Sequence, residues 1–301
     1  MTKCAPVALF VCNRPEHTRR TVEALAANRE ASATELFVFS DAAKSAAAAA
    51  AVNEVRAYVR GITGFARVSL IERETNLGLA RSIIEGVSRL CEDYGRVIVL
   101  EDDLVTSPHF LAFMNRALDL WQDEARIMSV CGYMYPVDLP EGDQSFLLPV
   151  AHSWGWATWR DRWAEFDADG AGLLARLRTS GRMDQFDAFG PHSYTKMLTD
   201  QIAGRNDSWF IRWLASGFLA GKLSLYPRQS LVRNIGIDGS GVHCAEWRID
   251  PFAVEPAQNA LSVDRIRVAA HSSNMAKLAR YFWRIRLARV VNFAYRILRF
   301  R

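Results

Sequence analysis

VIVLEDD, residues 97–103, is the stretch that decides the fold: four apolar residues in a row, then Glu101, Asp102 and Asp103. A short unbroken apolar run reads as a strand buried on both faces, the habit of parallel sheets. Acids that follow it at once lie at the strand's carboxyl end, where open α/β sheets bind ligands. Toward the N-terminus the pattern recurs. Residues 7–12 are a second apolar run, followed by Asn13, Arg14 and Pro15. Pro15 suits the first turn of a helix, Asn13 suits its cap, and 18–27 continue it. Residues 36–39 end in Ser40 and Asp41, 42–60 read as helix, and 68–71 as strand. Residues 79–91 carry Ile83, Ile84, Val87 and Leu90 at helical spacing. Strand and helix in alternation predict a mostly parallel, Rossmann-like sheet flanked by helices. Asn13, Arg14, Asp41, Asp102 and Asp103 then converge at the strand ends.

Toward the C-terminus a helix runs from Ser107 and Pro108 to about residue 121, with strands near 127–131 and 146–150. Residues 209–220 read as helix and 223–226 as strand. Trp154, Trp156 and Trp159 read as bulky core at helix or turn spacing, or as a wall for sugar faces. Trp156, after Gly155, is the expected contact. A glycine-bearing loop, 236–241, leads to His243.

Composition narrows the classes. The chain has 301 residues, half of them hydrophobic, enough for one large α/β domain. Five scattered cysteines, with no Cys-x-x-Cys pair, suggest neither a zinc knuckle nor a disulfide framework and fit a reducing compartment. Ten of the 37 Lys and Arg lie beyond Asp264, where no acid occurs, which leaves residues 1–264 at a net charge of −6. Such a tail seeks an anionic surface. On a helical wheel Phe282, Trp283, Leu287, Val290, Val291, Phe293, Ile297, Leu298 and Phe300 gather on one broad side, with Arg284, Arg289, Arg296 and Arg299 opposite. This is expected of an interfacial membrane helix, the alternatives being a helix docked on the domain or a dimer contact. No apolar stretch of 18 residues or signal peptide is read, so a cytoplasmic place at the inner face of the membrane is expected. No Gly-x-Gly-x-x-Gly follows the first strand, against a dinucleotide enzyme, and the spacing around Gly217 and Gly221 is not that of a phosphate loop. No nucleic-acid module precedes the basic tail.

Residues 97–113, VIVLEDDLVTSPHFLAF, resemble the metal-binding stretch of GT-A fold glycosyltransferases, nearest to the N-acetylglucosaminyltransferase I-like group. Residues 7–25 and 76–83 are similar to that group and to bacterial family 2-like sugar transferases, and 153–163 and 207–244 to the second half of the bacterial enzymes. The resemblance covers about residues 5–245. It implies a GT-A (nucleotide-diphospho-sugar transferase) fold: a domain over 1–262, with a nucleotide-sugar half to 106 and an acceptor half from 107, then a basic amphipathic tail over 263–301. It implies Asp103 as ligand to Mn²⁺ or Mg²⁺, with His243 a possible second ligand. Donor-binding roles are implied for Asn13, Arg14, Asp41, Asn76, Gly78, Arg81, Glu101, Asp102 and Trp156. Asp207 is the expected general base.

Plainer roles stand beside these: a surface ion pair for Arg14, a turn residue at Asp41, a helix-capping turn at Gly78, a helix cap at Asp207 and a structural His243. The expected activity is metal-dependent, inverting transfer of a sugar, hexosyl or N-acetylhexosaminyl, from a UDP-sugar to a glycan or lipid-linked acceptor in envelope polysaccharide synthesis. Two rivals remain. A nucleotidyltransferase would share sheet and metal, but Asn13-Arg14-Pro15 lacks its glycine-rich loop. A carbohydrate-binding protein of the same fold would lack turnover.

Overall fold

The computed structural model describes residues 3–139, 141–187, 193–238 and 250–299. Its first half alternates as the apolar runs require. The order is β1 (Val7–Val11), α1 (Pro15–Ala26), β2 (Glu35–Ser40), α2 (Ala46–Arg60), β3 (Arg67–Glu72), α3 (Leu79–Tyr94) and β4 (Arg96–Glu101). These four strands lie side by side as β3-β2-β1-β4. All three pairings are parallel, with Val7 beside Leu36 and Ile98, and Leu36 beside Val68. Every residue of β1 is buried, because both faces of the sheet are covered. Val7, Leu9 and Val11 enter one core with Val22 and Leu25 of α1 and Val55 and Val59 of α2. Ala8 and Phe10 enter the other, with Ile83, Val87 and Leu90 of α3. Each Val, Leu, Ile or Phe side chain among these contributes about 1.5–3 kcal/mol on leaving water.

The second half completes the sheet and covers it. In order come β5 (Leu104–Thr106), α4 (Phe110–Leu120), β6 (Ile127–Cys131), β7 (Ser145–Leu148) and β8 (Trp156–Trp159). Short α5 (Arg160–Trp163), α6 (Gly170–Thr179), α7 (Met183–Phe186), α8 (Tyr194–Ile202) and α9 (Trp209–Leu219) follow. The described elements end with β9 (Leu223–Pro227), β10 (Val232–Asn234) and α10 (Ser272–Arg299). The sheet reads β3-β2-β1-β4-β8-β6-β9-β7, eight strands in one layer. β8 runs antiparallel to both β4 and β6, so the parallel half gives way to a mixed half at that strand. β5 and β10 pair apart from the main sheet as an antiparallel ribbon.

Three expectations change. The tryptophan run is not helix or turn: residues 156–159 are a central strand, and Trp156 is fully buried. Its ring stacks on Trp209 at 5.1 Å and packs against Trp163 and Trp213. It presents no face to a sugar, so the donor contact expected of it is corrected to a core role. At α1 the cap position is Arg14 rather than Asn13, and no side chain bonds the end of the helix. At α10, Phe282 does not face outward with Trp283: it is buried with Leu278, Tyr281 and Ile285 against Tyr135, Phe146 and Tyr226. Helix docking accounts for that face. Among the described residues no helix is long and apolar enough to cross a membrane.

Candidate functional site

β1 and β4 are neighbours, yet the chain leaves β1 for β2 on one side and returns to β4 on the other. This is the place where strand order reverses, and the crevice beyond the carboxyl ends belongs to ligands. Arg14 follows β1 and Asp102 and Asp103 follow β4, so the crevice is walled by these three. Arg14 Nη2 donates to Asp102 Oδ1 and, at 3.0 Å, to Asp103 Oδ2. The backbone here is pinned from both sides. Thr21 Oγ1 on α1 donates to the Asp102 carbonyl at 2.8 Å, and Ile235 N–H donates to the Asp103 carbonyl at 2.8 Å. Both carboxylates turn to Arg14, and little of either side chain is exposed.

Three acids and one guanidinium make an imbalance. Burial pushes the Asp102 carboxyl up to about 6, against the pull of Arg14 and with the help of the Asp103 charge. Glu101 is pushed up to about 8 by burial and then by the Asp103 and Asp102 charges. Burial opposes the charge on Arg14, but the two aspartates outweigh it and raise the guanidinium further. The crevice therefore carries more potential negative charge than its own cation neutralises.

A second group lies on the neighbouring strand end. Asp41 N–H donates to the Val11 carbonyl at 3.1 Å. Cys12, next in the chain, feels the charges of both Asp41 and Asp102, and burial with those charges raises its thiol. Asp41 is turned to the backbone: its two carboxylate oxygens accept from Leu77 N–H and Gly78 N–H, each at 2.9 Å. Asn76 donates to the Ala42 carbonyl at 2.6 Å. These bonds fold residues 76–78 into the approach to α3. Gly78 has φ 77°, a left-handed conformation that favours glycine, and a Cβ there would stand 3.9 Å from Asp207 Oδ2.

Asp207 thus faces the same loop from the other half of the chain. Its carboxylate is 70% exposed, with Arg212 Nη2 at 3.7 Å. It does not cap α9. Ser208 does, accepting from Ile211 N–H at 3.2 Å. The cap role weighed for Asp207 belongs to its neighbour, and its own carboxylate lies between Arg212 and the loop at Gly78.

Not every expected residue joins. Arg81 lies on the exposed side of α3 and pairs with Glu85 at 2.7 Å. Asn13 is exposed at the end of β1. His243 lies outside the described residues. Conversely, sequence reading missed Gly236, His17 and Asp238. β10 lies on β5 with Asn234 beside Leu104, and this carries residues 235–238 over the acidic pair. His17 Nε2 on α1 stands 3.1 Å from Asp238 Oδ2. A Cβ on Gly236 would overlap Asp103 Oδ2 and come to 3.0 Å from Arg14 Nη1. The one legible signal was glycine in the loop; its target lay 133 residues away. If Asp103 holds a divalent cation, Gly236→Ala is expected to weaken Mn²⁺ binding by roughly tenfold or more while thermal stability changes little, because the loop is displaced and the core untouched. Isothermal titration beside a melting curve checks it, and unchanged affinity counts against the close approach.

A divalent cation fits this donor set in a particular way. Among the described residues no three acidic, histidine or cysteine side chains converge as a self-sufficient cage. Hard carboxylate oxygens in excess of their cation suit Mg²⁺ or Mn²⁺ held by one or two protein ligands, with phosphate and water completing the shell.

Residues 7–140 match the glycosyl transferase family 2 domain, which spans β1 to β6 and includes Arg14 and the acidic triplet. No curated protein matches the chain. Among solved structures, residues 1–349 of S. aureus TarS are similar at 10% identity, covering 75% of this chain and 59% of that one, with a TM-score of 0.41. Against the longer S. aureus TarS structure the chain spans 30% of its length, with 54% of this chain covered at 12% identity and TM-score 0.36. The mannosyltransferase PcManGT from Pyrobaculum calidifontis, in complex with GDP-Man and Mn²⁺, is similar at 13% identity, 71% and 69% coverage and TM-score 0.38.

Proposed function

We propose that this chain, which carries a glycosyl transferase family 2 domain over residues 7–140, transfers a sugar from a nucleotide-sugar donor, by preference a UDP-sugar, to a glycan or lipid-linked acceptor, with inversion. The observation that carries the reading is the meeting of Arg14, Asp102 and Asp103 at the reversal of strand order, with Asp207 across the loop at Gly78. Asp103, with Asp102 beside it, would hold Mn²⁺ or Mg²⁺, which neutralises the diphosphate as the glycosidic bond breaks. Arg14, always charged, donates to the phosphate oxygens. Asp41 keeps Asn76, Leu77 and Gly78 in the shape that lines the donor side. The acceptor oxygen attacks the anomeric carbon, the bond to the diphosphate oxygen breaks, and the hydroxyl proton passes to Asp207. A panel of nucleotide sugars, scored by thermal shift and donor turnover with and without Mn²⁺, tests this. Metal-dependent stabilisation by one donor supports it; pyrophosphate release from a nucleoside triphosphate would favour a nucleotidyltransferase instead.

The raised carboxyls set a pH dependence. Asp102 sits at about 6 and Glu101 at about 8, above their ordinary 3.8 and 4.5. The folded chain keeps protons that the unfolded chain has released. The pair therefore adds most to stability below the ordinary values, and that contribution is lost as pH rises through 6 and then 8. A cation held at Asp102 and Asp103 would compete with the proton on Asp102 and ease the ionisation of Glu101 beside them, so its hold strengthens over this window. With chelator present, the urea midpoint should be lower near pH 8 than near pH 5. The gain on adding Mn²⁺ should be larger near pH 8. A gain independent of pH would contradict the assignment of the cation to Asp102 and Asp103.

A further inference from the structure

Among the residues of α10 whose side chains are described, up to Leu287, one face is docked on the domain. Asn274, Leu278, Tyr281, Phe282 and Ile285 are buried against the domain. The opposite side of the same turns carries Arg280, Trp283, Arg284 and Leu287, an i, i+3, i+4, i+7 stripe that looks away from the body. Trp283 is 50% and Leu287 66% exposed, two of the four large hydrophobic side chains exposed among the described residues. The Arg286 guanidinium stands 5.3 Å from the centre of the Trp283 ring. Nothing acidic lies on this helix, nor anywhere beyond Asp264.

Large apolar side chains in water cost free energy unless something covers them. Charge selects the cover. A second copy docking symmetrically would set Arg280, Arg284 and Arg286 against their own images, cation on cation. A neutral apolar partner would leave the same three unmatched. An anionic lipid headgroup layer matches both components, since a tryptophan ring settles at the boundary of headgroup and acyl chain while arginines pair with phosphates.

We propose that the outward stripe of α10 seats the protein on an anionic lipid surface, through Trp283 and Leu287 as wedges and Arg280, Arg284 and Arg286 as phosphate partners. The face is the reverse of the one that buries Phe282, and the inference does not rest on the transferase reading. The full chain should co-sediment with vesicles of mixed phosphatidylcholine and phosphatidylglycerol, not with phosphatidylcholine alone, and should come off as salt rises. Arg280→Glu with Arg284→Glu should lower the partition coefficient by roughly twentyfold or more, as each basic residue near an anionic leaflet is worth about 1 kcal/mol. Trp283→Ser alone should also weaken binding. Both variants alter exposed positions, so urea midpoints should match the parent chain and show that folding is intact. Equal binding to neutral vesicles, no binding to either, or undiminished binding by the double variant overturns the proposal. So does tighter, salt-sensitive binding to duplex DNA that competes with the vesicles, or a dimer that Trp283→Ser dissolves in a chain that ignores lipid.

Discussion

Asp103→Asn is expected to lower turnover by roughly a thousandfold, the cost of losing the carboxylate proposed to hold the cation that neutralises the leaving diphosphate. The amide keeps the volume of the carboxylate, so the site does not collapse. What it removes is a negative oxygen that accepts from Arg14 Nη2 at 3.0 Å at the reversal of strand order. The fold should not suffer. The Asp103 charge is one of the causes that hold Glu101 up to about 8, so neutralising it relieves a repulsion among buried acids. Turnover and Mn²⁺ titration should fall together while the melting temperature holds or rises. Turnover near that of the parent chain, in Asp103→Asn or Asp103→Ala, would remove the basis of the functional reading.

Asp207→Asn is the second large effect, a loss of about 10²- to 10⁴-fold in kcat, the usual contribution of a positioned base. Donor affinity should be kept if Asp207 serves the acceptor hydroxyl as proposed, since its carboxylate lies beside Arg212 and the Gly78 loop rather than among the residues proposed to hold phosphate. Stability should stay within about 0.5 kcal/mol, because the side chain is 70% exposed and Ser208 supplies the cap of α9. Separate measurement of donor Kd and of kcat distinguishes the roles. Donor binding lost with turnover would move Asp207 to the donor side, and turnover retained would make it a surface aspartate.

The first half of the fold was readable because parallel strands buried on both faces leave unbroken apolar runs. β1, β2, β3 and β4 each fall within a residue or so of where hydrophobicity alone puts them. β8 was not readable. Its four residues hold two tryptophans and a threonine, and nothing local says that Trp156 and Trp159 lie in a strand paired on both sides. The site divides in the same way. Arg14 and the acids after β4 were found because strand ends converge by rule. Asp41 was placed correctly at a strand end, but its bonds to Leu77 and Gly78 depend on a loop 36 residues on. Gly236 and Asp238 reach the site only through the β5–β10 pairing, which sequence pattern does not encode. On α10 the wheel showed two characters, but which side meets the domain was decided by Tyr135, Phe146 and Tyr226, residues on other elements.

The β5–β10 ribbon has a consequence for how the protein is made. Leu104 pairs with Asn234, so the acids at 102 and 103 leave the ribosome long before the segment that closes over them. A nascent chain that has delivered only the parallel half possesses Arg14 and both carboxylates but lacks Ile235, Gly236 and Asp207. Contacts this distant along the chain form late. Synthesis itself therefore withholds the working site until nearly the whole domain has emerged, and no truncated product ending before residue 234 should consume donor.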